Sequence, residues 1–294
     1  MRITRRQFGL SAIGPLSRLA LAQEEPGMQV ERVASGFRFT EGPAWSREGF
    51  LLFSDIPNNR IMKYLPGEKP VVFREDSNGA NGNAFDAQGR LYTCESRTRR
   101  VVRTDRKGDT HVLADKWEGK RFNAPNDIAV RKDGHVYFTD PAFGNQADAR
   151  ELDFYGVYHI TPKGELSLIA KPAGRPNGIA LSPNGHLLYV ANSDEHNVRA
   201  YDMDHSGEAS KERVVISGIE GVPDGIRVDE KGTLYVAASG IGLYDAQGTF
   251  TERLGVPEAP SNCAFGDGDL QTLYITARTG LYRARRNVKG ALQY

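Results

Sequence analysis

An all-β chain closed into a six-bladed β-propeller is the architecture this sequence predicts, and three observations carry the prediction. One phrase recurs six times at a mean spacing of about 44 residues, within the roughly 40–50 expected of propeller blades. Each copy reads as a short apolar run, a glycine turn and a β-rich strand ending in Tyr or Phe, while sustained helical periodicity is absent. The residue that opens each copy is Glu41, Asn81, Asn126, Asn177, Asp224 or Asn262, so every one carries a side-chain oxygen.

The elements follow in chain order. Residues 1–22 contain Arg5-Arg6, a mildly apolar stretch and Ala20-Leu21-Ala22, the pattern of a twin-arginine export signal with its cleavage site. Export to the periplasm or the medium is therefore expected, with residues 23–294 forming the propeller. Val30-Glu31-Arg32-Val33-Ala34 precedes the first copy and is expected to pair with Leu281-Tyr282-Arg283-Ala284, closing the ring between chain start and chain end. Within the copies, Asp133-Gly134, Gln88-Gly89, Asn184-Gly185 and Lys231-Gly232 mark hairpins. Further β segments follow each hairpin, including Arg60–Tyr64, Gly156–Ile160 and Val198–Tyr201, which makes four strands per copy. The sixth copy lacks the regular spacing, since Asn262 is followed by Gly266 and Gly268.

Composition excludes several classes of function. The net charge of +1 removes the electrostatic footprint of a nucleic-acid binder. No apolar run approaches the roughly 18 residues of a membrane helix, so no membrane partner is expected for the mature form. Cys94 and Cys263 lack C-x-x-C spacing and fall in non-adjacent blades, so they are expected to be free, buried thiols. No G-x-S-x-G elbow or H-E-x-x-H motif is present, and His135 and His186, next to hairpin glycines, read as solvent-facing. A monomer or weak oligomer is expected.

In a propeller the innermost strands line a central channel, so the six opening residues are expected to face one axis at one height. Two carboxylates and four amides buried together without a partner are costly. A hard cation relieves that cost, and Ca²⁺ takes about 6–8 oxygen ligands. Calcium is therefore the expected ion, with Mg²⁺, Mn²⁺ or Zn²⁺ as substitutes. The competing reading of any single Asn-Gly pair is a side-chain turn to the backbone.

Glu41-Gly42-Pro43-Ala44-Trp45, Pro125-Asn126-Asp127, Phe138-Thr139-Asp140-Pro141, Arg175-Pro176-Asn177-Gly178-Ile179-Ala180 and Asp224-Gly225 together resemble the senescence marker protein/gluconolactonase/luciferin-regenerating family, over about residues 31–285. The resemblance implies a six-bladed propeller with a central divalent ion and hydrolysis of sugar-type lactones. It implies Glu41, Asn126, Asn177 and Asp224 as metal ligands, with Asp224 as the first candidate for the base that activates water. Arg121, Asn81, Asp140 and Asn262 are the candidate substrate contacts. Asp55 and Glu95 share the offset of Asp140 in their own blades and could assist or bind loop amides. One departure is Ala124, where animal members of the family place an arginine. Two alternatives accompany the lactonase reading: a periplasmic binding or scaffold propeller with structural calcium, and a related organophosphate or phosphoester hydrolase.

Overall fold

The computed structural model describes residues 29–291. Six four-stranded antiparallel sheets, each running from an inner to an outer strand, are arranged as six blades. The inner strands are Thr40–Ser46, Ala80–Phe85, Ile128–Val130, Pro176–Leu181, Ile226–Val228 and Pro260–Gly266, for blades 1 to 6. A small hairpin, Lys116–Trp117 with Lys120–Arg121, leads from blade 2 into blade 3. The outer strand of blade 6 is Glu31–Ser35, paired with Gly280–Arg285 in the register Glu31↔Arg283 and Ser35↔Gly280. The expected closure of the ring by the chain start is therefore present. The export signal expected over residues 1–22 lies outside the described residues.

Strand periodicity explains why blades stack. Successive side chains point to opposite faces of a sheet, so Leu51 and Phe53 pack toward blade 6 while Phe50 and Leu52 pack toward blade 2. The same alternation around the ring produces six hydrophobic clusters, one at each junction of neighbouring blades, including the junction of blade 6 with blade 1. Cys94 belongs to the junction of blades 2 and 3 and Cys263 to that of blades 5 and 6. Both are free and buried, and burial pushes the Cys263 thiol up to about 12.

The hairpin glycines of the first five copies, Gly49, Gly89, Gly134, Gly185 and Gly232, all adopt left-handed φ between 72° and 95°. That conformation is what a tight hairpin turn demands and what glycine supplies without steric cost. In the irregular sixth copy, Asp267 and Leu270 take the left-handed positions at 66° and 59°.

His135 departs from the expectation of a solvent-facing side chain. It is buried, and its Nδ1 lies 2.7 Å from Nε2 of His159. The reason is a loop of blade 4 that folds over it. Arg131 binds the carbonyls of Asp204 and His205, and a side chain at Gly207 would meet the His135 ring at 2.4 Å. His186 is exposed, as expected.

The glycine that follows four of the six channel residues has a different use from turn-making. Gly178 N–H donates to Asp224 O (3.0 Å), and Gly82 N–H donates to Asn126 O (2.7 Å), so neighbouring inner strands meet backbone to backbone. A Cβ on Gly178 would sit 2.3 Å from Asp224 O and 2.6 Å from Ile226 N. Gly178→Ala is therefore expected to destabilise the protein by on the order of 2 kcal/mol or more, as overpacking against rigid backbone does. Thermal denaturation checks this, and an unchanged melting temperature would contradict the close-packed inner ring.

Candidate active site

The channel narrows to a set of polar side chains at the start of the inner strands. Glu41 is buried, and its Oε2 accepts hydrogen bonds from its neighbour Gly42 N–H and from Asn262 Nδ2, the latter at 3.2 Å. Asn177 donates through its amide to Ser193 Oγ (3.1 Å) and to the Asp224 carboxylate. Asp127 sits among these groups: Oδ1 accepts Ile128 N–H (2.9 Å), and Oδ2 is approached by Ile179 N–H (3.3 Å), Asn262 Nδ2 (3.4 Å) and the Arg227 guanidinium (3.5 Å).

The electrostatics of the set are unfavourable for protein alone. Burial, and then the charges of Asp224 and Asp127, hold the Glu41 carboxyl well above the usual carboxylate range. Burial, and then Asp127, push Asp224 up to about 8, against the opposing pull of Asn177 and the Arg278 charge. Two amide oxygens, Asn81 Oδ1 and Asn177 Oδ1, are buried without a hydrogen-bond partner. Asn126 is half-buried, bonds through its backbone to Thr139 O (2.8 Å), and leaves its side-chain amide without a protein partner among the described residues.

Crowded carboxylates beside unpartnered amide oxygens form an oxygen-only donor set, which suits a hard divalent cation and does not suit soft or imidazole-preferring metals. Among the described residues no three His, Cys, Asp or Glu side chains converge in a metal-holding cluster. A cation here therefore depends on the asparagines as well as on the acids.

Access differs at the two ends of the channel. At the lower end, small inner-strand residues such as Ala44, Ala129, Ala180 and Ala264, together with Ala291, line a narrow apolar passage. The tail is fixed there by Ala291 N–H to Val228 O (3.0 Å) and by the Asp229–Gly290 bridge. At the upper end two clefts open. One, about 540 Å³, is lined by Phe39, Val222, Asp224, Val256, Pro260 and Arg278, among others. The other, about 450 Å³, is bordered by Ser96, Arg97, Arg99, Asn123 and Gln146 on blades 2 and 3.

The family model described as the SMP-30/gluconolactonase/LRE-like region matches residues 39–279, almost the whole ring. This chain belongs to that family. A gluconolactonase from Zymomonas mobilis is 34% identical over 296 residues, spanning 89% of this chain and 82% of the relative. The structure of a gluconolactonase from Xanthomonas campestris superposes with a TM-score of 0.81 at 32% identity, covering 87% of this chain and 89% of that one. A regucalcin from Agrobacterium tumefaciens, described as a calcium-binding protein, shares the fold with a TM-score of 0.74 at 21% identity, over 86% and 92% of the two chains.

Within this family member, the site residues expected from the sequence fall into three groups. Glu41, Asn177 and Asp224 come together around the channel mouth, with Asn81 on the adjoining inner strand of blade 2 and Asn126 just before that of blade 3. Asn262 is fully buried and braces Glu41 and Asp127, so it shapes the set from beneath and does not open to a substrate. Asp140 and Arg121 are placed elsewhere. Asp140 is fully buried, and its two oxygens accept Asn123 N–H and Ala124 N–H at 2.8 Å each, which positions the loop before Asn126. Asp55 acts alike, accepting Arg38 N–H (3.0 Å) and Phe39 N–H (3.3 Å). Glu95 binds Thr98 and Arg100 side chains. Arg121 is exposed on its small hairpin, donates to Thr98 O (3.2 Å), and lines neither cleft.

Asp127 and Arg227 join the candidate site in the structure without having been singled out from the sequence. Asp127 stands where four other copies carry glycine, and Arg227 lies three residues after Asp224. The break in the glycine pattern at Asp127 was the available signal.

Proposed function

We propose that this protein hydrolyses lactones of polyhydroxylated acids, with a divalent cation, calcium foremost, held by Glu41, Asn126, Asn177 and Asp224. The single observation that carries the reading is the pairing of crowded, buried carboxylates with the unpartnered Asn177 oxygen, beside the cleft that Asp224 lines. The gluconolactonase relatives support the substrate class, and the calcium-binding regucalcin supports the ion.

When bound, the cation supplies Lewis-acid polarisation of a carbonyl oxygen. The protein's own groups do the rest. Asn262 and Gly42 N–H hold Glu41 in one orientation, and Asn177 does the same for Asp224. Asp224 is the carboxylate of this set that lines the upper cleft, which makes it the general base for a water attacking a substrate held there. Asp224 takes a proton from the attacking water as its oxygen bonds to the lactone carbonyl carbon. The ring C–O bond then breaks, and the proton passes to the departing alkoxide, leaving the open hydroxy acid. The upper cleft that Asp224 lines gives substrate its approach to this carboxylate.

The test is acid release from glucono-δ-lactone above the spontaneous rate, measured after chelation and again with Ca²⁺, Mg²⁺, Mn²⁺ or Zn²⁺ restored. Turnover that requires a divalent ion is expected. Calcium binding with no turnover on this and a small panel of other lactones would replace the enzyme reading with a binding propeller.

A further inference from the structure

Arg278 shares the larger upper cleft with Asp224, yet no motif in the sequence singled it out. It sits in the turn between Thr272–Ala277 and Gly280–Arg285 of blade 6. Three sets of contacts hold that turn. Arg278 O accepts Thr40 N–H at 2.8 Å, and Thr279 O accepts Gly36 and Phe37 N–H. Glu258 binds Thr279 N–H (2.8 Å) and Thr279 Oγ1 (2.9 Å), and is itself anchored by Tyr282 OH (2.7 Å). The left-handed φ of 42° at Arg278 recurs at Asn59, Arg99 and His196, which follow the second strand of their own blades, so it belongs to the turn.

The side chain is what differs. Arg99 is tied to Phe122 O and the Glu151 carboxylate. Arg278 is exposed and forms no ion pair among the described residues; its guanidinium lies over the Phe39 ring, 5.9 Å from the centroid. The rest of the cleft wall is largely apolar, through Phe39, Val222, Val256 and Pro260. An unpaired cation beside an aromatic face, on a turn that is itself held, matches a sugar-like ring, whose C–H surface packs on apolar groups while its hydroxyl oxygens accept from charged donors.

We propose that Arg278 is a specificity-determining residue that selects polyhydroxylated lactones, donating its guanidinium N–H groups to substrate hydroxyl oxygens while the lactone carbonyl faces Asp224. This rests on the lactonase reading and adds to it the residue that tells a sugar lactone from a plain one. The role expected of Arg121 passes in this way to a different blade.

The experiment compares wild type with Arg278→Gln and Arg278→Lys on glucono-δ-lactone and on δ-valerolactone, which lacks hydroxyls. Binding of gluconate to the calcium-loaded proteins is measured by calorimetry in parallel, with melting temperature as the folding control. For Arg278→Gln, the ratio of kcat/KM for gluconolactone over valerolactone is expected to fall about tenfold or more, the loss typical of a hydrogen bond to a charged donor. KM should carry most of the change, gluconate affinity should weaken by a similar factor, and Arg278→Lys should recover part of both. An unchanged ratio with full wild-type turnover overturns the inference and leaves the lactonase reading intact. Gluconate binding that depends on Arg278 without turnover sinks the lactonase reading and keeps Arg278 as the polyol contact. Absence of both turnover and gluconate binding overturns both.

Discussion

Asp224→Asn is expected to lower kcat/KM for lactone hydrolysis by about three orders of magnitude, while the cation-free variant melts at or above the temperature of the cation-free wild type. The first effect follows from removing a base, for which losses of about 10²–10⁴ are usual. The second follows from the electrostatics of the channel mouth. Asp224 raises the Glu41 pKa and is itself raised by Asp127, so an isosteric amide removes repulsion without leaving a hole. The pair of readouts separates an enzyme from a scaffold. A scaffold whose calcium only locks the blades would lose folding in calcium along with the carboxylate. Turnover within threefold of wild type would remove Asp224 from the chemistry.

Cation removal is expected to have the second large effect, and its pH dependence has a definite sign. The folded-state pKa values of Glu41 and Asp224 lie above their unfolded values, with Asp224 at about 8. Between the ordinary carboxylate range and about pH 8 the folded chain therefore binds more protons than the unfolded chain. Stability of the cation-free protein must fall as pH rises through that window. Burial lowers the pKa of His135 and takes that of His159 to about 4, and these groups act in the opposite sense. Their influence is confined to pH values below about 6.5, the unperturbed value for histidine, so a comparison of pH 6.5 with pH 8.5 isolates the buried carboxyls Glu41, Asp224 and Asp140, the last raised to about 7 by burial. The chelated protein is expected to melt lower at pH 8.5 than at pH 6.5. Calcium at 100 times its Kd should restore about 2.7 kcal/mol, roughly 5–10 °C for a chain of this size. At one fixed calcium concentration the gain should be larger at the higher pH, where fewer protons compete for the carboxylates and Kd is lower. A chelated protein whose melting temperature is the same at both pH values would rule out the crowded-carboxylate account.

Much of the architecture was legible because it is written in local, repeated chemistry. The hairpin glycines at 49, 89, 134, 185 and 232 mark positions where the backbone must turn left-handed, a requirement that a single residue reports by itself. Strand alternation likewise reveals which side chains leave each sheet on which face, and the spacing of the copies gives the number of blades. Even the clasp of Glu31–Ser35 onto Gly280–Arg285 follows from the propeller reading, in which stacked blades close into a ring and the chain start joins the last blade.

The site was legible only in part. Glu41, Asn177 and Asp224 could be found because they share one phase of the repeat, and phase becomes height along the axis once the ring closes. Phase says nothing about what a loop does with a carboxylate. Asp140 ends its strand at the same offset as Asp55, and only the folded chain shows that both are consumed by backbone amides of the preceding loop. The glycines after the channel residues read as turn formers in sequence, whereas Gly178 is required by a contact with Asp224 O in the next blade, 46 residues away.

The sequence by itself determined the β class, the six-fold repeat, the closure and the oxygen-rich channel, since each is a periodic property carried within one blade. Tertiary structure decided that Asp127 and Arg227 pair inside the channel, that Asn262 braces Glu41, and that Arg278 faces the cleft of Asp224. Those relations join blades distant along the chain. They depend on side-chain direction and desolvation, which exist only once the ring has closed.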